Sequence, residues 1–305
     1  MDLSKPLFDI DCSAVVPRIE TFIREKMTAL NRDGILIALS GGLDSSTTAG
    51  LCVRAVGKER VFGIMLPERQ GNPEADHYGE KVARYFGIVS VTYDISRLLR
   101  KLGTYRFITS LIPGNALRTK IVKNYLEKSG RSPFLDSVSG TGSHFVRKGY
   151  AVMNTKHRVR LVVTYKYAEE RNLMVVGNAH KSEDMVGLFT KHGVDDHADL
   201  MPLKNLYRSH ILQIADYVGV PEEILSRSPN PDIIPGVTDK YKDILGIDSG
   251  KLDLILLGLE KGMDPQSIAR QLGLNQTKVE EMAELISITG HMRNKSMAPE
   301  GLLNI

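Results

Sequence analysis

Ile35-Leu36-Ile37-Ala38-Leu39-Ser40-Gly41-Gly42-Leu43-Asp44-Ser45-Ser46 is the stretch that decides the fold. Five apolar, partly β-branched residues follow Gly34, a pattern that predicts a short strand buried on both faces of a parallel sheet. Residues 46–56 then predict a helix. A glycine pair between such a strand and a helix lets the backbone approach an oxyanion closely. The N–H groups of the first helical turn point at that anion, helped by the helix dipole. Ser40, Ser45 and Ser46 can add hydroxyl donors. A carboxylate at Asp44 would repel a phosphate unless a Mg²⁺ ion lay between them. The same residues could also serve as an ordinary helix start, with Asp and Ser as caps.

Outward from this loop, strands and helices alternate. Residues 15–30 carry Val15, Val16, Ile19, Phe22, Ile23, Met27 and Leu30 at helical spacing. Residues 61–66 predict a second strand, ended by Pro67. Residues 75–86 predict an amphipathic helix, 89–93 a third strand, 153–171 a long helix and 173–176 a fourth strand running into Gly177. This alternation predicts a doubly wound parallel α/β sheet with helices on both faces, followed by a helical C-terminal part over 252–290. The whole chain reads as one domain. Residues 103–149 interrupt the rhythm, with a helical piece at 115–128 and a flexible polar run, Ser139-Gly140-Thr141-Gly142-Ser143. A segment that long between strand and helix suits a lid or substrate loop.

Composition sets outer limits. The 305 residues include 42% hydrophobic and 25% charged side chains, an ordinary globular balance. A formal charge of +4 is far from the clustered basicity of nucleic-acid binders and compatible with phosphate ligands. Two cysteines, Cys12 and Cys52, make neither a disulfide framework nor a metal site. With no signal-like start and no apolar stretch near the ~20 residues that span a bilayer, a cytoplasmic protein is expected.

The loop lacks the Gly-Lys-Ser/Thr ending of a Walker motif and the Gly-x-Gly-x-x-Gly of dinucleotide folds. Ser-Gly-Gly-x-Asp-Ser-Ser instead resembles the loop of ATP pyrophosphatases. Within that group, the second half of the chain is similar to the NAD synthetase family. The resemblance is carried by Asn154…Arg158-Val-Arg160 and Gly177-Asn178…Glu183, then by Gly187…Thr190-Lys191…Gly193 and Asp199…Pro202-Leu203. Ser228-Pro229-Asn230, Asp239…Leu245-Gly246 and His291-Met292-Arg293 follow in order. It covers about residues 14–295, with 103–149 standing out as an insertion.

The resemblance implies that ATP and Mg²⁺ are used. It assigns Ala38, Leu39, Ser40, Gly41, Gly42, Leu43, Asp44, Ser45 and Ser46, with Asn178, Arg208 and Asn230, to ATP. Asp44 and Glu183 become Mg²⁺ ligands; Arg158, Lys191, Asp199 and His291 contact the acid substrate, deamido-NAD. A carboxylate at Glu183 could instead simply complement a helix dipole. The implied reaction adenylates the nicotinate carboxylate, releases pyrophosphate, and lets ammonia displace AMP to give NAD. No protein nucleophile is needed and none is evident. Nothing in the chain is left to build a glutaminase, so free ammonia, or ammonia from a separate subunit, is expected. Family members are homodimers, and helices near 14–30 and 154–171 are apolar enough to supply an interface.

Several positions depart from the family pattern. Asn178 and Asn230 replace threonines, Arg208 replaces a lysine, and Met292 replaces the lysine of a His-Lys pair, leaving Arg293 and Lys295 as substitutes. The loop from Gly193 to Ala198 is one residue longer. These changes keep other readings open: a relative that amidates a different carboxylate, or a nucleotide-binding protein without catalysis. Residues 265–279 read like a helix-turn-helix, but the second helix carries few cations for phosphate contacts, which argues against nucleic acid.

Overall fold

A computed structural model describes residues 2–106, 133–194, 196–230 and 237–293 of the chain. Helix α1 (Cys12–Ala29) starts at Asp11, whose side chain accepts from the Ser13 N–H. Strand β1 (Gly34–Ala38) leads through the glycine loop into α2 (Leu43–Val56). Then follow β2 (Val61–Met65), α3 (Pro73–Phe86), β3 (Val89–Thr92) and α4 (Ser96–Lys101). After the segment that is not described come α5 (Pro133–Val138), α6 (His144–Glu169), β4 (Leu173–Val176) and α7 (Lys181–Val186). The chain continues through α8 (Arg208–Tyr217), α9 (Glu222–Leu225) and a π-helical turn, Tyr241–Leu245. It ends in α10 (Ser249–Glu260), α11 (Pro265–Leu272), α12 (Gln276–Ile288) and α13 (Gly290–Arg293).

The four strands are all parallel in the order β3-β2-β1-β4. β1 side chains alternate as the pleat requires. Ile35 and Ile37 enter a core shared with α1, α2 and α8, while Leu36 enters the opposite core with Ile95, Leu99 and Val163 of the α4–α6 side. All three are fully buried, each stabilising by about 1.5–3 kcal/mol relative to exposure. This is the doubly wound sheet the alternation predicted. The chain leaves β1 toward β2 on one side, while β4 pairs on the other, so the switch point lies beyond the carboxyl ends of β1 and β4.

Among the boundaries that differ from the sequence reading, two helix starts bear on the site. Helix α2 begins at Leu43 because the Gly42 carbonyl already accepts from the Ser46 N–H. Helix α6 begins at His144, nine residues earlier than expected, because the Ser143 hydroxyl accepts from the Val146 N–H. The polar run at 139–143 is therefore a turn and an N-cap, closed by Gly142 N–H donating to the Asp136 carbonyl at 2.8 Å. The expected helix at 115–128 lies outside the described residues.

The C-terminal helices form a third core with α7 and the start of the chain. Gly273, at φ 60°, turns α11 into α12, and Ile268, Val279 and Met282 of this pair are buried in that core. The helix-turn-helix pattern thus packs the C-terminal layer against the loop after β4.

Candidate active site

A cavity of about 540 Å³ opens at the switch point. Its walls include Ala38, Leu39, Ser40, Gly42, Leu43, Asp44 and Ser45 from the glycine loop, Asn178 and Glu183 after β4, Arg208 at the start of α8, and Asn230. The residues assigned to ATP therefore converge, although Gly41 and Ser46 lie off the wall. Gly41 has φ +66°, and a Cβ there would come 2.2 Å from Tyr78 Cβ and 2.6 Å from its backbone carbon. Gly41 is required because α3 packs against the loop. Gly42 is different: a Cβ there would meet only the Ser40 hydroxyl at 3.3 Å, so its missing side chain keeps the cavity wall open. Ser46 is fully buried, and its hydroxyl donates to the Gly42 carbonyl at 2.8 Å. Ser45 donates to the same carbonyl at 3.1 Å.

Asp44 and Glu183 project toward one another from the two strand ends. Arg208 Nη1 lies 3.4 Å from Asp44 Oδ1, Lys240 Nζ is ion-paired with Glu183 and 4.0 Å from Asp44 Oδ2. The buried His180 places Nε2 3.9 Å from Asp44 and 3.6 Å from Glu183. One ligand atom each from Asp44, His180 and Glu183 lies within 4.8 Å of the others. Burial lowers the Lys240 pKa, but Glu183 and Asp44 more than offset it, so the ammonium is held above its ordinary value. Two carboxylates matched by the buried Arg208 and the partly buried Lys240 make a site built around charge. Asn178 Nδ2 donates to the Ala38 carbonyl at 3.2 Å, and its Oδ1 is buried without a hydrogen-bond partner among the described residues. An amide oxygen left that way on a cavity wall suits a donor from a ligand.

A buried carboxylate supports the opposite wall. Glu68 accepts from Lys156 Nζ at 2.6 Å, from the Tyr105 hydroxyl at 2.7 Å and from the Gln70 N–H at 3.0 Å. Its burial raises the carboxyl pKa, but Lys156 outweighs this and keeps it below the ordinary value. Arg160, which also faces the cavity, donates to the Leu66 carbonyl at 3.3 Å.

The residues assigned to the acid substrate do not line this cavity. Three of them join in a chain of contacts: Arg158 donates to the Lys191 carbonyl at 3.1 Å and Lys191 Nζ to the His291 carbonyl at 2.7 Å. Asp199 stands apart, accepting from the Val175 N–H at 2.9 Å and the Tyr165 hydroxyl at 3.1 Å. Arg293 caps helix ends through the Met185 and Ile286 carbonyls, and Lys295 lies outside the described residues.

The family model for NAD synthase matches residues 15–110 and 115–296. The chain belongs to the NAD synthase family. Among the curated relatives of this NAD synthase family member is the NH₃-dependent NAD⁺ synthetase of Thermotoga neapolitana, 36% identical over 245 residues, 80% of this chain and 83% of the relative. The NH₃-dependent NAD⁺ synthetase of Methanocaldococcus jannaschii is 32% identical over 286 residues, 94% of this chain and 96% of the relative. Among solved structures, the NMN synthetase of Francisella tularensis superposes with a TM-score of 0.70 at 21% identity. It covers 96% of this chain and the whole of the other, and shows the shared fold. The NH₃-dependent NAD synthetase of Campylobacter jejuni gives 0.66 at 20% identity over the same shares. The family match runs through most of residues 103–149, leaving out 111–114.

The site of this NAD synthase family member also holds side chains that the sequence did not single out, among them Glu68, Lys240 and Arg227 on the cavity wall and His180 beside Glu183. His180 is three residues before Glu183, a spacing that could have flagged it. Lys240 carries no local signal, since only the folded chain brings it to Glu183. Arg227, on the cavity wall, donates to the Gly41 carbonyl at 2.8 Å and lies over the Tyr78 ring at 3.8 Å, pinning the loop. Among the described residues, no helix is long and apolar enough to cross a membrane.

Proposed function

We propose that this protein makes NAD from deamido-NAD, ATP and ammonia, and that the cavity at the β1–β4 switch point is where ATP is cleaved between its α- and β-phosphates. The observation that carries the ATP half is the meeting of Asp44 and Glu183 beside the open wall at Gly42. Family membership and the curated relatives carry the overall reaction.

In this reading the nicotinate carboxylate oxygen attacks the α-phosphorus of ATP, and the bond to the bridging oxygen of pyrophosphate breaks. Ammonia then attacks the acyl carbon, AMP leaves with the carboxylate oxygen, and one proton is released from nitrogen. The glycine loop would hold the departing pyrophosphate with backbone donors already aimed at it, a preorganised arrangement that costs no reorientation during reaction. Arg208 and Lys240 would offset the charge of phosphates beside two carboxylates. Asn178 and Asn230 would orient the nucleotide.

The donor set at Asp44 and Glu183, hard oxygens opening onto a phosphate cradle, fits Mg²⁺. Bound there, the ion would offset charge building up across the α- and β-phosphates. Arg158, Lys191 and His291 would form the acid-substrate side, with Asp199 bracing β4 through the Val175 N–H. Phe134, on the cavity wall, and Tyr105, which holds Glu68, support a role for residues 103–149 as a substrate loop. We also read the protein as a homodimer, since Leu98 and Leu102 of α4 and Val162 of the adjoining α6 are exposed. Both nucleotide substrates are cytoplasmic metabolites, which supports that location.

The test is pyrophosphate release from Mg·ATP with deamido-NAD and ammonium. Asp44→Asn and Glu183→Gln are each expected to abolish it, and glutamine as sole nitrogen source is expected to give none. Full activity in either variant would remove that carboxylate from the site. Turnover of another carboxylate, but not of deamido-NAD, would overturn the substrate assignment and leave the ATP chemistry standing.

A further inference from the structure

Thr190 and Val194 line the cavity, but the loop they belong to presents His192 and His197 as exposed side chains. The N–H groups of Asp196 and His197 both donate to the Gly193 carbonyl at 3.0 Å, folding the loop back on itself. This brings His192 and His197 together, with ring centroids 4.8 Å apart and His192 Nδ1 3.4 Å from His197 Nε2. One oxygen of Asp196 holds both ends: Oδ2 accepts from the His192 N–H at 2.8 Å and lies 2.9 Å from His197 Nδ1. His192 is also one of three non-glycine residues with positive φ among the described residues, at 59°.

We propose that His192 Nδ1 and His197 Nε2 bind a divalent transition-metal ion of the Zn²⁺ class. Three observations point the same way. The nitrogen–nitrogen separation is what one tetrahedral ion demands: Zn–N bonds of about 2.0–2.1 Å place two ligand nitrogens about 3.3 Å apart. Asp196 Oδ2, 2.9 Å from His197 Nδ1, favours the tautomer in which Nδ1–H donates to it and the Nε2 lone pair faces His192, the carboxylate–histidine arrangement that orients a metal-binding imidazole. The Asp196 side chain is only 11% exposed while that of His197 is 53% exposed, so the orienting group is covered and the ligands are open to solvent, which would complete the coordination with water. Binding needs a lone pair on both facing nitrogens, so the His192 proton moves from Nδ1 to Nε2 as the ion enters. Imidazole nitrogens favour Zn²⁺, Co²⁺ or Ni²⁺ over Mg²⁺, so this loop and the oxygen site at Asp44 and Glu183 select different metals. A bound ion would tie residue 192 to residue 197 and stiffen the loop that carries Lys191.

The test is titration of the full chain with Co²⁺ alone in a buffer containing excess Mg²⁺, followed by visible absorption and calorimetry. One site is expected, with nitrogen-ligand absorption. His192→Ala and His197→Ala should each weaken it at least tenfold, Asp196→Asn should weaken it about tenfold through ring orientation, and Glu183→Gln should leave the affinity within threefold. Unchanged affinity in the doubly substituted chain, loss in Glu183→Gln alone, or no Co²⁺ uptake at millimolar concentration would each overturn the proposal. Imidazole ¹⁵N spectra of the unsubstituted chain with Zn²⁺ guard against a folding artefact. His192 Nδ1 and His197 Nε2 should shift, and a shift confined to His180 would also overturn the assignment.

Discussion

Asp253→Ala should damage this protein more than its place behind the cavity wall suggests. Asp253 lies on α10, fully buried, and its two oxygens hold three donors: the Ser182 hydroxyl at 2.6 Å, the Ser209 N–H at 2.8 Å and the Ser209 hydroxyl at 2.7 Å. The Ser182 hydroxyl in turn accepts from the Arg208 N–H at 2.9 Å. One carboxylate therefore sets the starts of both α7 and α8, the helices that carry Glu183 and Arg208. Each buried donor left without an acceptor costs about 1–3 kcal/mol, and the hydroxyls can partly re-pair, so the sum is about 3–5 kcal/mol. Against the 5–15 kcal/mol typical of a whole domain, that is a large share of stability. Asn keeps the shape and one acceptor oxygen, and should lose about 1–2 kcal/mol. Urea unfolding followed by far-ultraviolet circular dichroism reads the stability. The KM for ATP, expected to rise in both variants as Arg208 and Glu183 lose their shared anchor, reads the positioning. If Asp253→Ala unfolds within about 1 kcal/mol of the parent with an unchanged KM, the anchor argument fails.

Three further perturbations separate other parts of the site. Glu68→Gln removes the carboxylate charge that Lys156 Nζ meets at 2.6 Å and should cost on the order of 3 kcal/mol near neutral pH. Because Glu68 titrates below its ordinary 4.5, its stabilisation is present above that pH and is lost as the pH falls through the lowered folded value. The gap between parent and variant should therefore narrow in acid, and a gap constant with pH would refute the pairing. Lys240→Met removes the cation between Glu183 and Asp44. It should tighten Mn²⁺ binding measured by electron paramagnetic resonance while lowering the metal-free Tm; unchanged metal affinity would count against Lys240 as a competitor. Gly41→Ala forces a left-handed backbone at about 1–2 kcal/mol and a clash with Tyr78, so ATP affinity and Tm should both drop. Gly42→Ala should weaken ATP binding with little change in Tm, and equal effects of the two substitutions on Tm would contradict their separate roles.

The glycine loop after β1, the parallel sheet and the proximity of Asp44 to Glu183 were legible in the sequence because each is encoded locally. A β-branched run, a glycine pair and a following helix are contiguous, and both carboxylates follow strand ends that a parallel topology brings side by side. The same local logic misplaced the start of α6, because the capping bond of Ser143 outweighs a glycine-rich composition. It also grouped Asp199 with Arg158, Lys191 and His291, whereas in the fold Asp199 braces β4 through the Val175 N–H.

What only the tertiary structure decided was the charge balance of the site. Lys240 is 57 residues beyond Glu183 yet meets it on the cavity wall, and Asp253 is 71 beyond Ser182 yet anchors it from behind that wall. No local spacing predicts such contacts, because their strength comes from burial: a carboxylate shielded from water must find its cation or its donors wherever the packed layers place them. The sequence by itself determined how the chain could cradle a pyrophosphate. The packing of the C-terminal helices against that cradle determined which side chains neutralise it.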